Sequence, residues 1–328
     1  MPSFCRHNRL IQNCPICSRE RERELESAVG PGVARGSGGR RASASGRARA
    51  PAARSRSVGG VSVRRINRGG DDGYRSPVLP GLRSSAEAQR LASELSFAAG
   101  RLQALAVDPP GLYGEIADRD GDLEERTWLA FLIAYLCPLE EDDPFAAIRA
   151  VRTSRASGEL PDVSAVATGP RSSYEPTVAT RTLEAYWGWA SRAGSQASAL
   201  IGEASWSPER RFARAYERLA LPGLHRDARF ELLVSLGSLG VYELRAGTLA
   251  LGGENAVTIA AKRALGIGDP LLLERRAQEL AQACEVPLEA LDLGFYNWEA
   301  RERATLGMGP GAQAPAELLE RVAAALGL

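Results

Sequence analysis

Four residues near the start of the chain, Cys5, His7, Cys14 and Cys17, form a C-x-H pair followed by a C-P-x-C pair. Thiolate and imidazole donors at these spacings close a tetrahedral Zn²⁺ site, because each short loop turns two donors onto one ion. The expectation is a structural zinc knuckle over residues 1–20; the alternative is four unrelated polar residues in a tail. A second group is the turn Leu221-Pro222-Gly223-Leu224-His225, set between the helical patterns PERRFARAYERL and RDARFELLVSLGSLG. Backbone N–H groups of such a hairpin, at the positive end of the following helix, suit a phosphate oxygen. Pro222, Gly223, His225 and Arg226 are therefore candidate contacts to a DNA backbone, with an ordinary interhelical turn as the other reading. The carboxylates are the third group. Glu254, ahead of Asn255, could steady a developing cation or orient a water, or it could simply be an acid favoured where a helix starts.

Helices must position these groups. From Ser84 onward apolar residues recur three and four apart, with Gly, Pro and Asp in the gaps and no sustained alternation, so the fold class is all-α. The pattern predicts helices over 86–105, 123–137, 144–152, 178–202, 208–219, 227–240, 256–265, 271–284, 287–297 and 315–326. The longest apolar run, Trp128 to Leu136, falls well short of the roughly 20 residues that cross a bilayer and reads as a core helix. Residues 21–80 are rich in Gly, Ser, Ala, Arg and Pro, as in GSGGRRASASGRARAPAARSRS. Such a composition buries too little apolar surface to offset the entropy of ordering, which predicts a disordered linker. The expected organisation is a knuckle at 1–20, a linker at 21–80 and a helical domain at 81–328.

The net charge of +1 hides a division. Residues 1–79 hold 16 Arg against 6 Asp and Glu, whereas the rest holds 25 basic residues against 34 acids, so a basic arm precedes an acidic body. The arm suits a polyanion through counterion release; Arg-rich coding bias in a solvated linker would give the same count. Five cysteines, an odd number, argue against a secreted disulfide framework and for a reducing cytoplasm. An Arg- and Ser-rich start also fits an organelle transit peptide, for which a zinc knuckle would have little use.

The order of these motifs resembles the helix-hairpin-helix DNA glycosylases related to endonuclease III. There an L-P-G hairpin and its helix are followed by a loop and a helix ending in a Gly turn, matched here by GGENAVTIAAKRALGIG. Over roughly residues 126–303 the resemblance places Glu254 at the family's catalytic carboxylate. It sets WLAFLIAYLCPLEEDD where the family has an early helix, putting Glu140 and Asp143 near the base pocket with Asn255, Tyr296, Asn297 and Trp298. On residue type alone, Glu140 to Asp143 are also a solvated helix start, and Tyr296, Asn297 and Trp298 are also core. More narrowly, the CxH…CPxC knuckle, LPGLHRDARFELL, VTIAAKRALGIGDP and FYNW look like the α-glutamyl/putrescinyl thymine pyrophosphorylase family.

That resemblance implies a glycosylase that flips a bulky modified pyrimidine, such as glucosylated hydroxymethylcytosine, out of phage DNA and hydrolyses its N-glycosidic bond. Two departures shape the expectation. His225 replaces the second hairpin glycine, and Asp227 stands where a lyase lysine is expected, leaving Lys262 as the only lysine. A Schiff base needs an amine, so the enzyme would be monofunctional and use water, with no catalytic cofactor and no obligate protein partner. The alternatives are a transferase that builds hypermodified thymine in DNA, or a non-catalytic zinc-knuckle adaptor that binds DNA.

Overall fold

A helix that is apolar on every side has to be wrapped by others, and the run Trp128–Leu136 therefore organises the fold. The computed structural model of the chain describes residues 70–328, and the run lies in a helix whose residues from Thr127 to Leu136 are all buried. The described residues form twelve α-helices and no strand. They are α1 (Ser85–Val107), α2 (Leu112–Ala117), α3 (Leu123–Leu136), α4 (Ala146–Val151), α5 (Ala179–Arg192), α6 (Gln196–Ile201), α7 (Pro208–Arg218), α8 (Arg226–Ser238), α9 (Ala256–Leu265), α10 (Pro270–Ala283), α11 (Ala290–Ala300) and α12 (Ala316–Leu326), with a 3-10 turn at Arg155–Ser157. The predicted zinc knuckle, and the linker up to residue 69, lie outside the described residues. Among the described residues no helix is long and apolar enough to cross a membrane.

Helix α3 packs on α8, and α1 packs on α8, α11 and α12, so α1, α3, α8 and α11 meet around one interior. On α3 the residues Trp128, Phe131 and Tyr135 recur at helical spacing. Tyr186 of α5 stacks on Phe131 with ring centroids 3.6 Å apart. Each fully buried large apolar side chain here contributes about 1.5–3 kcal/mol relative to exposure. The first turn of α3 also carries two acids that terminate neighbouring elements. Glu124 accepts the backbone N–H groups of Gln196 and Ala197 at the start of α6. Glu125 accepts those of Arg155 and Ala156 in the 3-10 turn. Caps expected from sequence chemistry recur at Ser207 before Pro208 and Asp269 before Pro270, whose side chains accept first-turn N–H groups.

Three differences from the sequence pattern have local causes. Helix α2, LYGEIA, is too short to show a period. The stretch read as one helix over 178–202 is two, because Gly194 at φ +89° breaks the run and Ser195 caps α6 through the Ser198 N–H. The third is a correction to the linker, since residues 71–80 dock on the helical domain through buried Tyr74, Ser76 and Leu79. Tyr74 and Leu79 are buried, the Tyr74 hydroxyl donates to the Leu326 carbonyl at 2.5 Å, and Gly81 lies against the Arg263 and Ala264 carbonyls where a Cβ would collide. Two apolar residues in a polar stretch are enough to dock it when a groove awaits them.

Candidate functional site

The turn between α7 and α8 is tight because Gly223 adopts φ +73°, a region costly for residues with a Cβ, and a Cβ there would drive into the Thr182 hydroxyl of α5. Inside the turn the Leu224 N–H donates to the Leu221 carbonyl at 3.1 Å. The His225 N–H donates to the Ser173 hydroxyl at 3.0 Å, so one expected phosphate donor is already engaged. Among the described residues the amides of Arg226 and Asp227 have no acceptor, as the first turn of a helix dictates, and the Gly223 amide in the turn before it has none either. Pro222 and His225 are exposed beside them.

Arg226 departs from expectation. Instead of reaching outward to a phosphate, its guanidinium turns inward, pairs with Asp292 of α11 and with Asp227, and donates to the Leu249 carbonyl. Asp292, 2% exposed, also accepts from Arg171 at 2.7 Å. Arg171 lies 3.6 Å from Asp227, and its guanidinium covers the Tyr296 ring at 4.6 Å. Burial works against ionising Asp292, but Arg226 and Arg171 outweigh it and hold the carboxyl below its ordinary value. Burial also opposes the Arg171 charge, and Asp292 and Asp227 hold it above the usual value. An ion pair this deep repays its desolvation only when its geometry is good, so it fixes the hairpin helix more than it adds net stability.

A second buried pair sits one turn further along α8. Arg101 of α1 pairs with Glu231 and donates to the Tyr113 hydroxyl at 3.1 Å, while Ser235 donates to Glu231 at 2.7 Å. Two small voids meet at Glu231. One lies beside Arg101, Phe230 and Asp292, the other beside Tyr113, Cys137, Arg171 and Leu306. Each has room for about one water molecule, so neither admits a nucleobase in this conformation. Arg101 Nε, Arg171 Nε and Arg171 Nη1 are buried with no hydrogen-bond partner among the described residues.

The predicted site residues do not gather around one pocket. Glu254 is exposed and lines neither void, so the expected place at a pocket mouth is not what this geometry gives it. Asn255 is the N-cap of α9, its side chain accepting the Thr258 N–H at 2.9 Å. Asp143 is exposed, and its hydrogen bond from Arg149 lowers its carboxyl below the ordinary range. Glu140 grips Thr305 through the backbone N–H and the hydroxyl. Asn297 is buried against Glu94 and Ala304, and Trp298 is fully buried, donating to the Glu87 carbonyl at 3.1 Å under the Arg263 guanidinium. Asn297 and Trp298 thus tie α11 to α1 and face no open pocket. Tyr296 alone of this trio borders the ionic cluster, its hydroxyl donating to the Pro170 carbonyl at 2.9 Å. The single lysine, Lys262, is exposed in the last turn of α9.

Sequence reasoning passed over Arg101, Arg171, Glu231 and Asp292. Two of them carry a visible mark, since Glu231 in ARFELLVSL and Asp292 in ALDLGF are single acids inside apolar helical stretches, where a charge needs a partner. Arg171 sits in the loop before α5 with no such mark.

Among the described residues, fold and site define an all-helical domain with a buried ionic cluster beneath an interhelical hairpin. No protein-family model matches this chain, and no match is found among curated proteins or solved structures.

Proposed function

We propose that the chain is a DNA-binding protein of the helix-hairpin-helix kind that excises a bulky modified pyrimidine from phage DNA as a monofunctional glycosylase in the cytoplasm. The observation that carries the DNA reading is the hairpin: a glycine turn closely packed on Thr182 and hydrogen-bonded to Ser173, with free amides at the positive end of α8 and exposed Pro222 and His225 beside them. The buried cluster of Arg226, Asp227, Asp292 and Arg171 supports it by fixing the start of α8, so that the amides are preorganised. The Arg-rich arm supplies non-specific attraction to the duplex, and the knuckle of Cys5, His7, Cys14 and Cys17 holds a structural Zn²⁺.

The reaction rests on the motif resemblance. In this reading the base is flipped from the stack at a cost of about a few kcal/mol. Glu254 then stabilises the oxocarbenium-like sugar or orients a water. A carboxylate exposed to solvent is screened, so Glu254 works only where bound DNA covers it. That exposure, with no base-sized void beside it, favours a second reading: a non-catalytic adaptor that binds DNA through the same hairpin. Incubating the protein with unmodified and phage-modified DNA, then weighing released bases, separates the readings. A glycosylase gives free base and an alkali-labile site, a transferase alters a base that stays on the sugar, and an adaptor changes nothing.

A further inference from the structure

The surface leading to the hairpin carries cations that the acidic body around it does not explain. Residues 181–229 hold eight arginines against five acids, whereas the other residues from 80 onward hold 17 basic residues against 29 acids. Arg-rich coding accounts for the residue type but not for this segregation. Among the described residues most exposed arginines pair with a carboxylate, as Arg149, Arg152, Arg275 and Arg276 do. Arg181, Arg210 and Arg218 are exposed and have no such partner there.

On α7 the residues Arg210, Arg214 and Arg218 recur every fourth position, so they line one exposed flank at steps of about 6 Å, while Phe212, Ala215 and Leu219 face the core. Helix stability does not ask for such a row. Like charges four residues apart repel, and Arg210 in the first turn opposes the helix dipole. Glu217, bonded to Arg214 at 2.9 Å, is the acid beside the row. Helix α10 shows the ordinary solvated arrangement instead, with Arg275 and Arg276 both paired to Glu279 one turn on. The row is also oriented: the Arg210 guanidinium lies over the Trp206 ring at 4.8 Å, and Arg218, the last residue of α7, stands four residues before Pro222. Across the hairpin, the packing of Gly223 on Thr182 brings the same turn of α5, with exposed Arg181, beside it.

We infer that Arg210, Arg214, Arg218 and Arg181 form a track for successive phosphates of one strand of duplex DNA, running along α7 and past the hairpin to α5. The inference rests on the DNA reading and extends it from a single turn to a surface. A guanidinium offers a forked set of donors that matches phosphate oxygens. Repulsion within the row is relieved when a polyanion lies along it, and the counterions held there are released. Contacts of this kind carry no sequence information, so the track positions the duplex and leaves reading of the base to other groups.

The test compares the full-length wild type with two double variants, Arg210→Gln with Arg214→Gln and Arg181→Gln with Arg218→Gln, and with a control, Arg275→Gln with Arg276→Gln. Fluorescence anisotropy follows binding to two duplexes of unrelated sequence from about 50 to 200 mM salt. Each track variant should lower the slope of log affinity against log salt by roughly 2, equally on both duplexes, while the control keeps the wild-type slope. Glu217→Gln should tighten binding, a change of sign that loss of a structural contact does not produce. All these side chains are exposed, so thermal unfolding should match the wild type throughout. An unchanged slope in either track variant, or an equal fall in the control, would overturn the track and leave the DNA reading standing on the wild type's own binding. Loss confined to one duplex would overturn the positioning role. Self-association at low salt that the track variants abolish, with DNA binding unaltered, would assign the face to a second copy of the chain. A wild type that binds neither duplex would overturn the DNA reading and the track together.

Discussion

Arg226, the first residue of α8, turns its guanidinium inward onto Asp292 of α11 and so anchors the helix that carries the hairpin. The residue type that most invites a phosphate contact is therefore engaged inside the protein. In the proposed DNA reading, the phosphate-facing role there passes to backbone amides and to His225.

Removing the anchor should be costly. Asp292→Asn leaves Arg171 and Arg226 without their shared carboxylate, and breaking one side of a buried pair typically costs about 3–5 kcal/mol. Urea denaturation of wild type and variant measures the loss. The folded carboxyl is held below its ordinary value, so its stabilising effect is fully present above about pH 4 and fades as pH falls through the folded value. The wild-type advantage over Asp292→Asn should thus be constant from pH 5 to 8 and shrink on further acidification. An advantage independent of pH down to about 2 would contradict the ionised state of Asp292.

Gly223 tests the hairpin. Gly223→Val forces a branched side chain into a positive-φ turn against Thr182. Fluorescence anisotropy with two duplexes of unrelated sequence should show the same fold-loss in affinity for both, because phosphate contacts carry no sequence information. Loss confined to one duplex would mean that the turn reads bases.

Trp298 separates core from pocket. A fully buried indole donating to the Glu87 carbonyl should cost about 3–5 kcal/mol when replaced by Ala. Trp298→Phe, which keeps most of the volume, should leave preference among modified bases unchanged. Altered preference in that milder variant would return Trp298 to a base pocket.

How much of this was legible depended on the kind of signal. Helical period and cap chemistry gave α1, α3 and α7 to α12 nearly in place, because long apolar faces and Ser, Asp or Asn before Pro or an apolar run are local features. The site was less legible. Arg226 and Trp298 look like ligand-binding residues by type, and only the three-dimensional pairing with Asp292 and Glu87 shows where they point. Arg171 and Asp292 meet across 121 residues of chain, a relation that no spacing rule reaches. Tyr74 and Leu79 were hidden by the polar composition around them.

The arm can be tested with boundaries drawn from the fold. Because Tyr74 and Leu79 pack into the core, the deletion should remove residues 21–69 rather than 21–80. That variant should keep its thermal stability but bind DNA more weakly, with a shallower dependence of log affinity on log salt. An unaltered slope would leave the arm as a linker.

The most direct test of the account is the mass of bases released from DNA carrying glucosylated hydroxymethylcytosine by wild type and by Glu254→Gln. Wild type should release free modified base, and release should fall by roughly a hundredfold or more in the variant, the order expected for losing one electrostatic stabiliser, with DNA affinity retained. No released base from wild type, or near-native release from the variant, would contradict it. The first result leaves a DNA-binding adaptor, and the second leaves a glycosylase whose carboxylate is not Glu254.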